Sequence, residues 1–132
     1  MDCENGATTV IYETAELIEA PNWTSDSDWL IFNADSRIFR ISSDGQRGTE
    51  RINTTHLEDL NNDHVLSPES KQIYLSSGDG HFYRVAIGGG QQERVSNQHE
   101  ATRNFRCYLD GVSPDGDTSS YVRFENHKGV TK

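Results

Sequence analysis

The chain has 132 residues, 33% of them hydrophobic, and a formal net charge of −9. That is the length of one ordinary domain, and such an acidic surface repels phosphate backbones and anionic membranes, so neither nucleic acid nor membrane insertion is expected. No apolar run approaches the roughly 20 residues of a membrane helix. Met1-Asp2-Cys3-Glu4-Asn5-Gly6 carries neither the basic nor the apolar region of a signal peptide, so the cytoplasm is favoured, with the periplasm as the alternative for a fragment.

Taken in chain order, residues 8–12 (Thr8-Thr9-Val10-Ile11-Tyr12) read as a lone strand. Four short strands are then predicted at 18–23, 29–33, 37–42 and 50–53, and four more at 63–66, 72–76, 81–86 and 92–95. Two further strands are expected over 107–124. The separators are turn chemistry: Ser25-Asp26-Ser27-Asp28, Ala34-Asp35-Ser36 and Ser43-Asp44-Gly45 in the first set, and Ser67-Pro68-Glu69-Ser70, Gly78-Asp79-Gly80 and Gly88-Gly89-Gly90 in the second. Gly, Asn and Asp supply the positive φ of tight hairpins, and Pro68 pre-sets its turn. No segment shows a convincing helical period.

The two sets are copies of one unit. Leu30-Ile31-Phe32 matches Ile73-Tyr74-Leu75 at an offset of 43, Ile38-Phe39-Arg40-Ile41 matches Phe82-Tyr83-Arg84-Val85 at 44, and Glu50-Arg51-Ile52 matches Glu93-Arg94-Val95 at 43. A third copy begins at Ser113-Pro114-Asp115-Gly116, 46 residues beyond Ser67-Pro68-Glu69-Ser70. Four antiparallel strands repeating every ~40–45 residues mark a β-propeller. A single blade cannot cover both its faces, and stacking blades around an axis does. The expected fold is therefore all-β, a partial β-propeller of four-stranded antiparallel blades in one domain. Residues 8–12 would be the last strand of a preceding blade, 18–53 and 62–96 two whole blades, and 107–124 an incomplete one.

On these residues the chain resembles the TolB-like β-propeller repeat family. That family's repeat carries a Ser-Pro-Asp-Gly turn, an apolar strand, an Ile-Tyr strand and a Gly-Gly turn. Ser113-Pro114-Asp115-Gly116 keeps the first turn intact; Ser67-Pro68-Glu69-Ser70 and Thr24-Ser25-Asp26-Ser27 depart from it. Ser119 and Ser120 stand where the family has apolar residues, and Asp110 where it often has histidine. The resemblance covers roughly residues 8–125. It implies closure with about six blades, more than this chain supplies, so the chain is either part of a longer protein or a unit that self-associates to complete the propeller.

No catalytic constellation stands out. Gly111-Val112-Ser113-Pro114-Asp115 lacks the final glycine of a nucleophile elbow. No zinc-protease, phosphate-loop or dinucleotide motif is present. No cofactor or metal is expected. Cys3 and Cys107 form neither a CxxC pair nor a zinc spacing, and a disulfide between them is left open. Asn22-Trp23-Thr24 and Asn53-Thr54-Thr55 fit the glycosylation pattern at the rate chance provides. The residues before each Ser-Pro-type turn belong to the innermost strands, where Glu19, Asn22, Asp63, His64 and Asp110 are the candidates for an axial or rim ligand site. The bland reading of such residues is that they satisfy nearby backbone groups. Arg40 and Arg84 occupy equivalent places and read as structural. The function expected is a noncatalytic module presenting a protein- or ligand-binding surface. The alternatives are a substrate-gating part of a serine-peptidase-type hydrolase or polysaccharide lyase, which the resemblance also implies, and a truncated gene product.

Overall fold

The computed structural model describes residues 4–97 and 106–124, together with the backbone of 126–127 and 130–131. Blade one is an antiparallel sheet of β1 (Ile18–Trp23), β2 (Trp29–Ala34), β3 (Arg37–Ser42) and β4 (Thr49–Arg51) in that order. Blade two repeats it with β5 (Leu60–Leu66), β6 (Gln72–Ser77), β7 (Phe82–Ala86) and β8 (Glu93–Arg94). The third blade is represented by β9 (Arg106–Val112) and β10 (Ser119–Phe124). A hairpin of β11 (Asn126–His127) and β12 (Val130–Thr131), absent from the sequence reading, follows. The chain is thus an all-β partial propeller, and no strand is shared between blades.

The second strands of blades one and two are apolar on both faces because both faces are covered. Side chains alternate along a strand. Ile31 and Ile38 of blade one therefore meet Leu60, Ile73, Leu75 and Val85 of blade two in one buried cluster, which Ile52 and Leu57 of the connecting segment complete. Tyr74 and Phe82, on the far face of blade two, meet Cys107 and Leu109 of β9 in a second. A third cluster, Phe32, Ala34 and Ile41 with Leu30 and Phe39, lies on the face of blade one turned away from blade two.

Polar links repeat between blades. The Leu60 N–H donates to the Ser36 carbonyl at 2.9 Å, and the equivalent Cys107 N–H to Gly80 at 3.1 Å. At positions 33 and 76, one repeat apart, buried side chains bridge to the next inner strand. Asn33 Nδ2 donates to the Asn61 carbonyl, and Ser76 Oγ accepts from the Leu109 N–H at 2.9 Å. These bonds explain polar residues in otherwise apolar strands, since buried backbone groups must be paired.

The turn motif is a hydrogen-bond device. Thr24, Ser42 and Ser113 each donate a hydroxyl to the aspartate two residues on, Asp26, Asp44 and Asp115. Each hydroxyl also accepts a backbone N–H five residues ahead, from Trp29, Arg47 and Thr118. These bonds hold the three carboxyl groups below the usual carboxylate range. The next position needs a left-handed backbone, and glycine meets it at Gly45 (φ +73°) and Gly116 (φ +77°), whereas Ser27 sits at +63°. A left-handed non-glycine residue costs about 1 kcal/mol, part of which glycine's extra unfolded freedom takes back. Ser27→Gly is expected to raise stability in urea by about 0.5 kcal/mol; a loss of that size would contradict this account of the turn.

The strand expected over 8–12 does not form. Nothing among the described residues stands beside it to complete a ladder, and it lies instead across the outer face of blade one. The Tyr12 ring centroid is 6.1 Å from that of Phe32, which stacks on Phe39 at 5.8 Å. A Cβ added to Gly45 would lie 2.6 Å from the Ile11 carbonyl oxygen, so backbone meets backbone there. Cys107 is a buried free thiol; Cys3 lies outside the described residues.

Candidate axial site

The inner strands β1, β5 and β9 each pair on one side only, and β5 packs beside both of the others. All three lose register. The break falls between Glu19 and Asn22 in β1, where Ala20 takes φ +50°. It falls between Leu60 and His64 in β5. In β9, Leu109 and Gly111 are paired and Asp110 is the extra residue. A bulge bends its strand and re-aims side chains, so all five candidate residues sit in or beside a bulge. Alternation in the sequence carries no sign of this, because a bulge interrupts the very period that would reveal it.

Two of the five, Asp63 and Asp110, lie near enough for the charge of one to act on the other. Asp63 is half-buried, and its carboxyl is pushed above the usual range first by burial and then by the Asp110 charge. His64, its neighbour, is the more deeply buried of the two. It lies against the main chain of Ile31, Ala20 and Asn62 and is only 5% exposed. Neither of its ring nitrogens has a hydrogen-bond partner among the described residues. Burial, the dominant influence, holds its pKa below the ordinary imidazole value. Asn22 closes its own bulge, donating from Nδ2 to the Ala20 carbonyl at 3.2 Å, and Asn61 Oδ1 accepts from the Asp63 N–H at 2.9 Å. Glu19 lines an open groove of about 580 Å³ with Glu16, Leu17, Asp35 and Ser36, which contains neither Asp63 nor Asp110.

Arg40 and Arg84 are structural. Each donates from Nε to a carboxylate directly across the ladder, Glu50 at 2.9 Å and Glu93 at 2.8 Å. The sequence reading missed a cleft of about 310 Å³ between blade two and β9, lined in part by Asp59, Asn61, Ser77, Arg106 and Tyr108. Its signal was Gly78: a Cβ there would lie 1.8 Å from the Asp59 carboxylate, a close approach that reads in sequence as turn chemistry alone. Among the described residues no three His, Cys, Asp or Glu side chains are grouped to hold a metal ion. No helix among them is long and apolar enough to cross a membrane.

No family model matches the chain. It is similar to an uncharacterised protein of Agrobacterium fabrum strain C58, with 32% identity over 116 residues, covering 85% of this chain and 38% of that protein. It is also similar to a solved structure from Agrobacterium tumefaciens provisionally assigned as TolB, with a TM-score of 0.72 and 26% identity over 93% of this chain. The chain spans 47% of that structure's length. The TolB-like propeller fold is therefore shared.

Proposed function

We propose that the chain works as a noncatalytic binding module whose axial end takes a cationic segment of a partner protein. What supports this reading is Asp63, a half-buried carboxylate on a bulged strand, on which the charge of Asp110 in the adjacent bulged strand acts. Folding would not by itself favour like charges side by side, and a cation between them relieves the repulsion. The net charge of −9 draws basic segments toward the surface.

Titration with a lysine-rich peptide tests this reading. Each charge near a surface contributes about 1 kcal/mol to such contacts. The Asp63→Asn, Asp110→Asn double variant is therefore expected to lose about 2 kcal/mol and bind about thirty-fold more weakly, with a shallower dependence on salt. Unchanged affinity would refute it. The same substitution at Asp63 is expected to raise stability at pH 7 by a few tenths of a kcal/mol. The sign follows from its raised pKa. The fold favours the protonated carboxyl, so Asp63 costs stability as pH rises through that pKa.

A further inference from the structure

The outer face of blade one carries Leu30, Phe32, Phe39 and Ile41, and the repeat makes these equivalent to Ile73, Leu75, Tyr83 and Val85 of blade two. In blade two those four pack against blade one. In blade one the same surface is covered by the chain's own Ile11 and Tyr12. At the opposite end, Tyr108, Val122 and Phe124 share the face of the third blade turned away from blade two. Tyr108 meets Phe124 edge-on at 5.7 Å, and Val122 and Phe124 are 51% and 43% exposed.

We propose that residues 8–12 are a displaceable strap held in the place of a preceding blade, and that the occupant they compete with is the third blade of a second copy of this chain. The two blade-to-blade interfaces within the chain define what fits. In each, the forward face of one blade, Ile31 with Ile38 or Tyr74 with Phe82, covers the backward face of the next. The third blade's exposed surface is a forward face, and the surface under the strap is a backward face. A second copy can therefore repeat an interface the chain already makes twice, in a head-to-tail arrangement. The strap itself is lightly held. It has no ladder, and Val10 remains 76% exposed and Tyr12 38%. Neither surface contains Asp63 or Asp110, so this inference and the axial reading fail independently.

Sedimentation velocity over a concentration series, on the full chain, the chain lacking residues 1–13 and a Tyr12→Ser variant, tests the proposal. Losing the competing aromatic contact is expected to tighten association roughly ten-fold in both variants. Adding Phe124→Asp to the trimmed chain is expected to return it to a monomer. Hydrogen exchange at β2 and β3 shows whether blade one stays folded. A trimmed chain that keeps that protection yet associates no more tightly would overturn the proposal. Weaker association would also overturn it, because residues 8–12 would then bridge copies as an exchanged strand. Loss of protection would make the segment integral instead of displaceable, and association that survives Phe124→Asp would rule out the third blade as the occupant.

Discussion

Replacing Ile73 with alanine is expected to cost about 3–4 kcal/mol, the range for truncating a large aliphatic side chain in a core that cannot collapse. Ile73 is completely buried, and its cluster joins both blades, with Ile31 and Ile38 on one side and Leu75 and Val85 on the other. Collapse into the vacated space would need one sheet to move against the other, and the Leu60–Ser36 and Asn33–Asn61 hydrogen bonds oppose that. A small domain has about 5–15 kcal/mol in all, so the variant should unfold at a much lower urea concentration with an unchanged slope. A cost below about 1 kcal/mol would mean that the blades do not pack on each other through this residue.

The second large effect is expected at His64. A buried polar group without a well-aligned partner costs about 1–3 kcal/mol, and both ring nitrogens of His64 are buried without one, the main chain of Ile31, Ala20 and Asn62 lying beside them. His64→Leu is therefore expected to stabilise the chain by about 1–2 kcal/mol at pH 7. The wild-type chain should also lose stability in mild acid. Because the folded pKa lies below the ordinary 6.5, the unfolded chain takes up the proton first. The contribution is whole above pH 6.5 and is lost as pH falls through the folded value, by up to about 1.4 kcal/mol per pH unit. Asp63, with its raised pKa, acts in the opposite direction nearer its own titration, so the His64→Leu variant isolates the histidine. Thermal unfolding of both proteins between pH 7.5 and 5 measures the difference. A destabilised His64→Leu protein would mean that the imidazole is hydrogen-bonded, to the main chain of Ile31, Ala20 or Asn62 or through solvent.

The blades were legible because their cause is periodic. Ile31, Tyr74 and their neighbours recur near one offset, the turns recur with them, and burial on both faces demands apolar residues at those places. The polar links at Asn33 and Ser76 were less visible: each falls at the last position of a predicted strand, where a polar residue looks like an ending instead of a contact. The bulges were invisible. Asp110 reads as an inner-strand position ahead of its turn, and only the pairing of Leu109 and Gly111 around it shows that it is extra. The segment over 8–12 misled for a related reason. Thr8 to Tyr12 has a strand's composition, but a strand is defined by its neighbour, and the apolar residues are used here against Phe32 and Gly45.

Amide hydrogen exchange tests the central claim, that successive sheets are stacked as propeller blades, most directly. The Leu60, Cys107 and Leu109 N–H groups donate across blades to Ser36, Gly80 and Ser76, so their protection depends on the neighbouring blade staying in place. If the blades are stacked, these three amides should exchange as slowly as those of Ile31 and Ile73 in the blade centres. Rapid exchange at all three, with protection confined to the interior of each sheet, would contradict the account.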